Sequence, residues 1–282
     1  MSFYFLFSIF YFLFGLCAGS FLNCIIYRLH IKESSLKGFS HCPHCKHRLS
    51  WKDLIPILSF IILKGRCRYC HQKISLQYPL VETTTGLLFL SIFIFQNLQG
   101  FNPCYLFYLL VISCFLIIIF VYDLKHYIIP DKVIYPATGI VFLYQIISNI
   151  QFPWTSADGP PKGLHFGTNF HFQTANFYFL ILSALGAAMF FFLICLLSRG
   201  KWLGFGDVKL AFFMGLFLGF PNILAALFLA FLIGAIIGLE LIILGKKKLS
   251  SEVPFGPFLV TGTFLALFFG ENLINWYINL FL

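Results

Sequence analysis

Residues 123–131 have the sequence Asp-Leu-Lys-His-Tyr-Ile-Ile-Pro-Asp, and residues 204–207 have the sequence Gly-Phe-Gly-Asp. Each stretch places an aspartate, Asp123 or Asp207, where a long apolar segment meets a polar one. Charged side chains are costly inside a membrane, so a carboxylate at such a position usually has a function. The two stretches therefore predict a membrane protein with functional acidic residues at the ends of its spanning segments.

The composition predicts an all-α polytopic membrane protein. Hydrophobic residues make up 60% of the 282 residues and charged residues 10%, whereas soluble domains contain about a quarter charged residues. A spanning helix needs about 20 mostly apolar residues. We predict about eight transmembrane helices, over residues 3–27, 80–97, 104–122, 133–150, 174–198, 207–220, 223–244 and 256–276.

The distribution of basic residues predicts the orientation. Residues 28–79 contain ten of the 19 Lys and Arg residues but only two acidic ones, so most of the net charge of +9 lies in this loop. Short basic loops stay in the cytoplasm, which puts residues 28–79 inside and the N-terminus outside. The first 27 residues lack the basic start of a cleaved signal peptide and are expected to remain. The basic loop could also contact anionic lipid headgroups, and we expect no nucleic-acid partner.

This topology places Asp123 and Asp207 at the same, cytoplasmic face of the membrane. Two neighbouring carboxylates can share one proton and act as an acid–base pair. Structural alternatives stay open, because Asp207 follows a glycine and could cap a helix, and Asp123 could lie in the interfacial zone. Asp131 follows Pro130 and is predicted to be the N-cap of the fourth spanning helix.

The sixth predicted span is unusually short. Residues 207–220 rise about 21 Å as a helix, less than the hydrocarbon thickness of about 30 Å. Either this helix does not cross the membrane fully, or the turn at residues 204–206 enters it. Irregular backbone at that depth needs protein or water around it, as a water-accessible catalytic cavity would provide.

Four cysteines in the basic loop predict a metal site. Cys42 and Cys45 form one C-x-x-C pair, and Cys67 and Cys70 form a second after 21 intervening residues. Two such pairs complete a tetrahedral Zn²⁺ site without an open position, so the zinc would be structural. A reducing cytoplasm disfavours two disulfides. Iron in the same frame and metal-free redox use remain alternatives, and we expect the four nearby histidines to be solvated: His41, His44, His47 and His71.

Glu82 follows Pro79 near the start of the second predicted helix. An acid in the first turn of a helix is stabilised by the helix dipole. The functional alternative is a contact with a cationic group, such as a basic side chain or an amine of a substrate. The residues alone favour neither explanation.

The ordered set of motifs resembles the bacterial type IV prepilin peptidases (prepilin leader peptidases/N-methyltransferases). The resemblance covers nearly the whole chain and includes the two C-x-x-C pairs. It also includes these segments: Gly15–Leu29, Trp51–Pro56, Tyr78–Glu82, Asp123 with Ile129–Asp131, Gly204–Leu210 and Pro254–Leu259. A Gly-x-Gly-Asp motif alone is weak, since presenilin-like proteases share it, but the ordered combination is specific.

The resemblance implies an aspartic intramembrane protease of the bacterial inner membrane, with Asp123 and Asp207 as its catalytic dyad. It implies that the substrates are prepilins and pseudopilins of type IV pili or type II secretion, cut on the cytoplasmic side after the glycine that ends a basic leader. It also implies methylation of the new N-terminus by S-adenosylmethionine, although no Gly-x-Gly-x-x-Gly cofactor motif follows a strand. We take four residues as candidate substrate contacts: Glu82, Gly204, Gly206 and Lys209.

The predicted organisation is a first membrane helix (1–27), a cytoplasmic zinc-binding loop (28–79) and a transmembrane peptidase core (80–282). Three other functions remain as alternatives. The first is a peptidase without methyl transfer, whose cysteine loop only stabilises the fold. An ion-coupled transporter would instead have acids near the bilayer midplane and internal repeats. A non-catalytic assembly factor would tolerate Asp→Asn at both aspartates.

Overall fold

The computed structural model describes residues 2–34, 38–151, 177–200, 203–245 and 253–281. Within these ranges the regular structure is helical, with two isolated β-bridges and no strand, so the all-α prediction is confirmed. The α-helices are α1 (Ser2–His30), α2 (Leu58–Ile62), α3 (Gln77–Gln99), α4 (Pro103–His126), α5 (Asp131–Gln151), α6 (Phe177–Leu197), α7 (Phe205–Leu218), α8 (Asn222–Ile243) and α9 (Gly256–Phe281), with a 3-10 turn at Trp51–Asp53. Parts of the predicted topology therefore lie outside the described residues, among them 152–173 between the fourth and fifth predicted spans, 174–176 at the start of the fifth, and 246–252 between the last two.

Each of the eight predicted spans coincides with a helix. Six of these helices are long and apolar enough to cross a membrane: α1, α3, α4, α6, α8 and α9. Helix α7 has only 14 residues, as the sequence predicts. Helix α5 contains Pro136 and several polar residues, which explains why its composition is less clearly that of a membrane span.

The described residues group into two compact units, Met1–Ile118 and Ile119–Leu282, and α4 contains the boundary between them. The sequence-based division at residues 27 and 79 follows membrane crossings rather than packing, and it stays a prediction. The first unit contains the cysteine loop, and the second contains both candidate catalytic aspartates.

In the first unit, α1 packs closely along α3. A Cβ atom added at Gly15 of α1 would lie 2.8 Å from the Cα atom of Gly86 on α3, so the two backbones touch only because both residues are glycine. Further along the same pair, the rings of Tyr11 and Phe93 stack at 4.5 Å. Small residues at helix crossings are typical of membrane proteins, where close packing replaces the hydrophobic effect.

In the second unit, α7 is the central helix, and α5, α6, α8 and α9 all pack against it. Ten of its 14 residues are buried, because a helix that is apolar on all sides is stable only when it is enclosed. Its closest neighbour is α6, where the Ser183 hydroxyl donates a hydrogen bond of 2.9 Å to the Gly215 carbonyl. The short α7 therefore holds its N-terminal end, which includes Asp207, inside the helix bundle.

Candidate active site and metal centre

Asp123 and Asp207 line the same cavity, which has a volume of about 570 Å³. The structure thus brings together the two carboxylates that the sequence places at one membrane face. The wall comes from the end of α4, the following loop, the start of α5, the turn before α7, α7 itself and the segment before α9. The other lining residues are Tyr127, Ile128, Ile129, Pro130, Asp131, Gly200, Leu203, Gly204, Phe205, Gly206, Lys209, Val253, Pro254 and Phe255.

Asp123 lies in the last turn of α4 and is held by the start of α9. Its side chain is buried, and Oδ2 accepts a hydrogen bond of 3.0 Å from the backbone N–H of Gly256. The first N–H groups of a helix have no partner within that helix, so Asp123 satisfies one of them. A Cβ atom at position 256 would lie 2.5 Å from Asp123 Oδ2, which explains why a glycine stands in the Pro-Phe-Gly-Pro motif.

Asp207 is the third residue of α7 and is also buried. Its Oδ2 atom accepts a hydrogen bond of 3.1 Å from the backbone N–H of Gly204, the residue that precedes the helix. This is the carboxylate half of a capping box. The expectation that Asp207 could itself be the cap is therefore wrong in position, because α7 begins two residues earlier, at Phe205.

The two glycines of the Gly-Phe-Gly-Asp motif have different surroundings. A Cβ atom at Gly206 would lie 3.1 Å from the Cβ atom of Ile129, across the cavity wall. At Gly204 the nearest atom would be Asp207 Oδ2 at 3.8 Å, which is an ordinary contact. Gly206 therefore allows the Ile129 loop to pack against α7, and Gly204 leaves open space beside the carboxylate.

The electrostatic environment of the pair is unusual for buried acids. In the part of the chain that the structure describes, each carboxylate receives one hydrogen bond, from a backbone amide, and neither takes part in an ion pair. Asp123 is near enough to Asp207 for their negative charges to interact. Two neighbouring carboxylates without a cation beside them can share a proton, since both cannot ionise easily.

Asp131 and Lys209 form an ion pair at the same cavity. The Lys209 Nζ atom lies 2.5 Å from Asp131 Oδ1 and 5.1 Å from the centre of the Tyr135 ring. The prediction that Asp131 is an N-cap is wrong by one residue. Helix α5 begins at Asp131, and the Pro130 carbonyl accepts the first helical hydrogen bonds, from Val133 and Ile134. The Asp131 side chain is thus available to hold Lys209.

Glu82 lies in the first unit, where it supports the cysteine loop. Its side chain is buried, and Oε2 accepts a hydrogen bond of 2.8 Å from the backbone N–H of Ile57. The helix-dipole explanation is wrong, because α3 begins at Gln77 and Glu82 is therefore beyond its first turn. No sequence pattern indicates the Ile57 contact, and a contact of Glu82 with substrate stays a prediction.

The four predicted cysteines come together as one cluster. The Sγ atoms of Cys42, Cys45, Cys67 and Cys70 all lie within 4.8 Å of one another. Among the described residues this cluster contains no histidine, and the His47 ring instead stacks on Tyr69 at 3.7 Å. Four thiolates at this spacing can bind one tetrahedral ion and leave no open position, which fits structural zinc.

The two C-x-x-C pairs have the same backbone geometry. In the first, the amides of Cys42 and Lys46 donate to the carbonyls of His47 and Cys42, at 3.0 and 2.9 Å. In the second, the corresponding bonds join Cys67 to Gln72 and His71 to Cys67. Burial raises the pKa of the Cys42 thiol, but hydrogen bonds from the Cys45 and His44 amides outweigh this effect and lower it to about 7. Metals bind the thiolate form of cysteine, so the lowered pKa of Cys42 favours metal binding there.

Asp53 connects the two halves of the loop. Its carboxylate accepts hydrogen bonds of 2.7 Å from both the Ser50 hydroxyl and Arg68 Nε, and Arg68 stands between the second pair of cysteines. Burial raises the pKa of Asp53, but the bonds from Ser50 and Arg68 outweigh it and hold the pKa below its usual value. Because Asp53 bonds back to Ser50, the residue before the 3-10 turn, it caps this turn. The Ser-x-x-Asp spacing is the sequence signal that could have indicated this contact.

Comparison with known proteins gives two family matches. Residues 13–96 match the bacterial peptidase A24 N-terminal domain, and residues 110–239 match the type IV leader peptidase family. Similar proteins named prepilin leader peptidase/N-methyltransferase occur in Legionella pneumophila (32% identical, 95% of this chain and 93% of the relative), Bacillus subtilis (30%, 95% and 97%) and Aeromonas hydrophila (29%, 96% and 93%). No solved structure matches the chain.

Metal analysis of the purified protein tests the cysteine cluster. We expect about one zinc ion per chain, and we expect Cys67→Ser to lose most of it, because three thiolates and a hydroxyl bind zinc more weakly. The matched control is Cys17→Ser, which removes a cysteine of α1 outside the cluster. Inductively coupled plasma mass spectrometry provides the measurement. Equal zinc content in both variants, or wild-type protein without metal, would contradict the assignment.

Proposed function

The chain belongs to the type IV leader peptidase family, and on this basis we propose that it is a multi-pass aspartic endopeptidase that removes the leader of prepilins and pseudopilins. The observation that carries the proposal is the pair of buried carboxylates, Asp123 and Asp207, on one cavity without a cationic partner among the described residues. We further propose that it lies in the bacterial inner membrane with its N-terminus outside, and that it cuts on the cytoplasmic side.

In the proposed mechanism the two carboxylates act as one unit that holds a single proton. The ionised carboxylate takes a proton from a water molecule, which attacks the scissile carbonyl carbon. The protonated carboxylate polarises the carbonyl oxygen, and a proton then passes to the leaving amine. Because coupled acids titrate together, neither role is assigned to Asp123 or Asp207 alone. The amides of Gly256 and Gly204 hold one oxygen of each carboxylate, which leaves the other for water and substrate.

Three of the four candidate substrate contacts line the catalytic cavity: Gly204, Gly206 and Lys209. Gly204 and Gly206 line the cavity next to Asp207, and the open space at Gly204 gives room for the backbone of an extended peptide. A scissile glycine in the substrate has no side chain, so its backbone can come close to the carboxylates. The Lys209–Asp131 pair offers both charges at the same cavity, so Asp131 is a candidate acidic contact for the basic leader.

A second cavity suggests where the apolar part of the substrate lies. This apolar groove, of about 580 Å³, lies between α6 and α8 and is lined by Phe179, Leu182, Ser183, Gly186, Ala187, Phe190, Phe220, Ile223, Leu224, Leu227 and Phe231. Its Phe231 ring lies 5.0 Å from the ring of Phe255, which lines the catalytic cavity. A substrate with its scissile bond at the aspartates could therefore extend its apolar segment along the groove.

Methyl transfer is the second part of the proposal. The relatives in Legionella, Bacillus and Aeromonas carry the name N-methyltransferase, and we propose that this chain methylates the new N-terminus with S-adenosylmethionine, which supplies the methyl group. The four-cysteine centre has no open position for substrate, so its role in the proposal is to stabilise the fold of the loop. A peptidase without methyl transfer remains the alternative, and a methylation assay on the cleaved product distinguishes the two.

Cleavage of a model substrate tests the proposal directly. The substrate is a peptide with a basic leader, Gly, Phe and an apolar helix, and the products are identified by mass spectrometry. We expect wild-type protein to cut after Gly, and Asp123→Asn and Asp207→Asn each to lose at least about a thousand-fold in rate. The matched control is Glu240→Gln, an exposed acid of α8 that does not line the cavity. Near-normal cleavage by either aspartate variant would exclude that residue from the dyad.

Gly256→Ala tests how Asp123 is positioned. The new methyl group would lie 2.5 Å from Asp123 Oδ2, so the carboxylate must move. We expect a loss of about a hundred-fold in rate, the cost of misplacing a reacting group by about 1 Å. Gly238→Ala is the matched control, since a Cβ atom there has no neighbour within 4 Å. Equal kcat for both variants, at equal thermal stability, would show that the Gly256 amide does not position the dyad.

Gly186→Leu tests the apolar groove. No atom lies within 4 Å of a Cβ atom at Gly186, which also lines the groove, so a leucine side chain can start there without a clash and occupy part of the groove. We expect a rise of about ten-fold in KM for substrate with the apolar helix and no change for a peptide that ends shortly after the scissile bond. Gly238→Leu, equally open on α8, is the control. If Gly186→Leu leaves both KM values unchanged, the substrate does not use the groove.

A further inference from the structure

An apolar segment interrupts the basic cysteine loop. Residues 54–63, which we call the apolar segment, have the sequence Leu-Ile-Pro-Ile-Leu-Ser-Phe-Ile-Ile-Leu and include α2. Ten residues are too few to span a bilayer, and a run of this length is typical of a buried core helix or of an interfacial or re-entrant segment. The structure decides between these possibilities.

The apolar segment is not part of a protein core. No residue of α2 is buried, and Leu58, Ile61 and Ile62 are 57%, 63% and 72% exposed. Leu54 is also exposed, and Trp51, just before the segment, is 72% exposed. Large aliphatic side chains that are exposed side by side indicate a surface that contacts something apolar.

A hydrogen bond fixes the depth of the apolar segment against the membrane helices. The Ile57 N–H donates to Glu82 Oε2 at 2.8 Å, and Glu82 lies five residues after the start of α3, about 7.5 Å along the helix. At the same level, a Cβ atom on Gly19 of α1 would lie 2.7 Å from the Glu82 Cα atom. Both α1 and α3 are long and apolar enough to span a membrane, and Gly19 and Glu82 lie within them, so α2 begins beside these helices rather than beyond their ends.

Residues with left-handed backbone conformation flank α2. Ile57 precedes it with φ 60°, and Lys64 and Gly65 follow it with φ 50° and 68°, so the helix is interrupted on both sides. Across this stretch the amides of Ile61, Leu63 and Gly65 donate to the carbonyls of Ile57, Ser59 and Phe60, at 2.9 to 3.0 Å. Backbone donors that are satisfied internally are what a segment needs when it leaves water.

Basic residues stand on either side of the apolar segment. Lys52 precedes it, Lys64 and Arg66 follow it closely, and all three are exposed. Long basic side chains next to an inserted apolar face extend toward the phosphate groups of lipids. Each such charge near an anionic membrane surface adds to the attraction.

We propose that residues 54–63 form a re-entrant segment that inserts Leu58, Ile61 and Ile62 into the boundary between lipid headgroups and acyl chains of an anionic phospholipid surface. Glu82 fixes its depth through Ile57, and the flanking basic residues contact lipid phosphates. The segment thus anchors the four-cysteine centre to the membrane at a second place, in addition to the ends of α1 and α3. The proposal rests on the first unit alone and does not depend on the peptidase activity.

Tryptophan fluorescence in nanodiscs of phosphatidylcholine and phosphatidylglycerol tests the inserted segment. The four native tryptophans, at positions 51, 154, 202 and 276, are replaced by phenylalanine, and Ile62→Trp supplies the reporter in the full-length protein. Ile61→Trp is a second reporter on the same face, in case one variant does not fold. His44→Trp, at an exposed position between the first two cysteines, is the control. Zinc content verifies that each variant keeps its loop.

We expect lipids with brominated acyl chains to quench the reporters at positions 61 and 62 at least about two-fold more than the control, and aqueous iodide to quench mainly the control. Equal iodide quenching at positions 61, 62 and 44, without quenching by brominated lipid, would overturn the proposal, because the face would then lie in water. Protection from both quenchers that increases with the number of protein copies per disc would also overturn it, because another copy of the chain would then cover the face.

Discussion

Two buried carboxylates at helix ends, without a cationic partner among the described residues, are the constraint on which the second unit depends. A carboxylate in such a place needs hydrogen-bond donors, and here each receives one from a backbone amide at a helix start, Gly256 for Asp123 and Gly204 for Asp207. A lysine or arginine beside either aspartate would stabilise its charge, but it would also remove the reason for the pair to share a proton. Lys209, which lines the cavity, is bound to Asp131 instead.

The remaining architecture of the second unit follows from the need to enclose this pair. Helix α7 is short, and α5, α6, α8 and α9 surround it. Its N-terminal end can therefore lie within the bundle beside a cavity rather than in lipid. Glycine is required where the packing is closest: Gly256 beside Asp123, and Gly206 beside Ile129. The motif glycines are therefore explained by space within the wall as much as by contact with a substrate.

Much of this organisation could be predicted from the sequence, because it depends on local patterns. Apolar runs locate the helices, the spacing of Cys42, Cys45, Cys67 and Cys70 identifies the cluster, and the positions of Asp123 and Asp207 at helix ends bring them to one face. Helix starts were less accurate, since α3 and α5 begin before the residues that apolar runs and capping rules indicate. That error led to the wrong explanations for Glu82 and Asp131.

The contacts that could not be predicted join residues far apart in the chain. The bond from Gly256 to Asp123 spans 133 residues, and that from Lys209 to Asp131 spans 78. The bond from Ile57 to Glu82 spans 25 residues and joins the cysteine loop to α3. No local periodicity encodes such pairs, because they depend on how helices pack.

The central claim is that Asp123 and Asp207 act as one unit, and a double-mutant cycle on kcat tests it most directly. Residues that share one chemical step are non-additive, so the loss in Asp123→Asn/Asp207→Asn should be about as large as in either single variant. Thermal stability of all three variants, measured in the same detergent, verifies that they are folded. If the two single losses instead multiply in the double variant, the aspartates act independently, and the shared-proton mechanism is wrong.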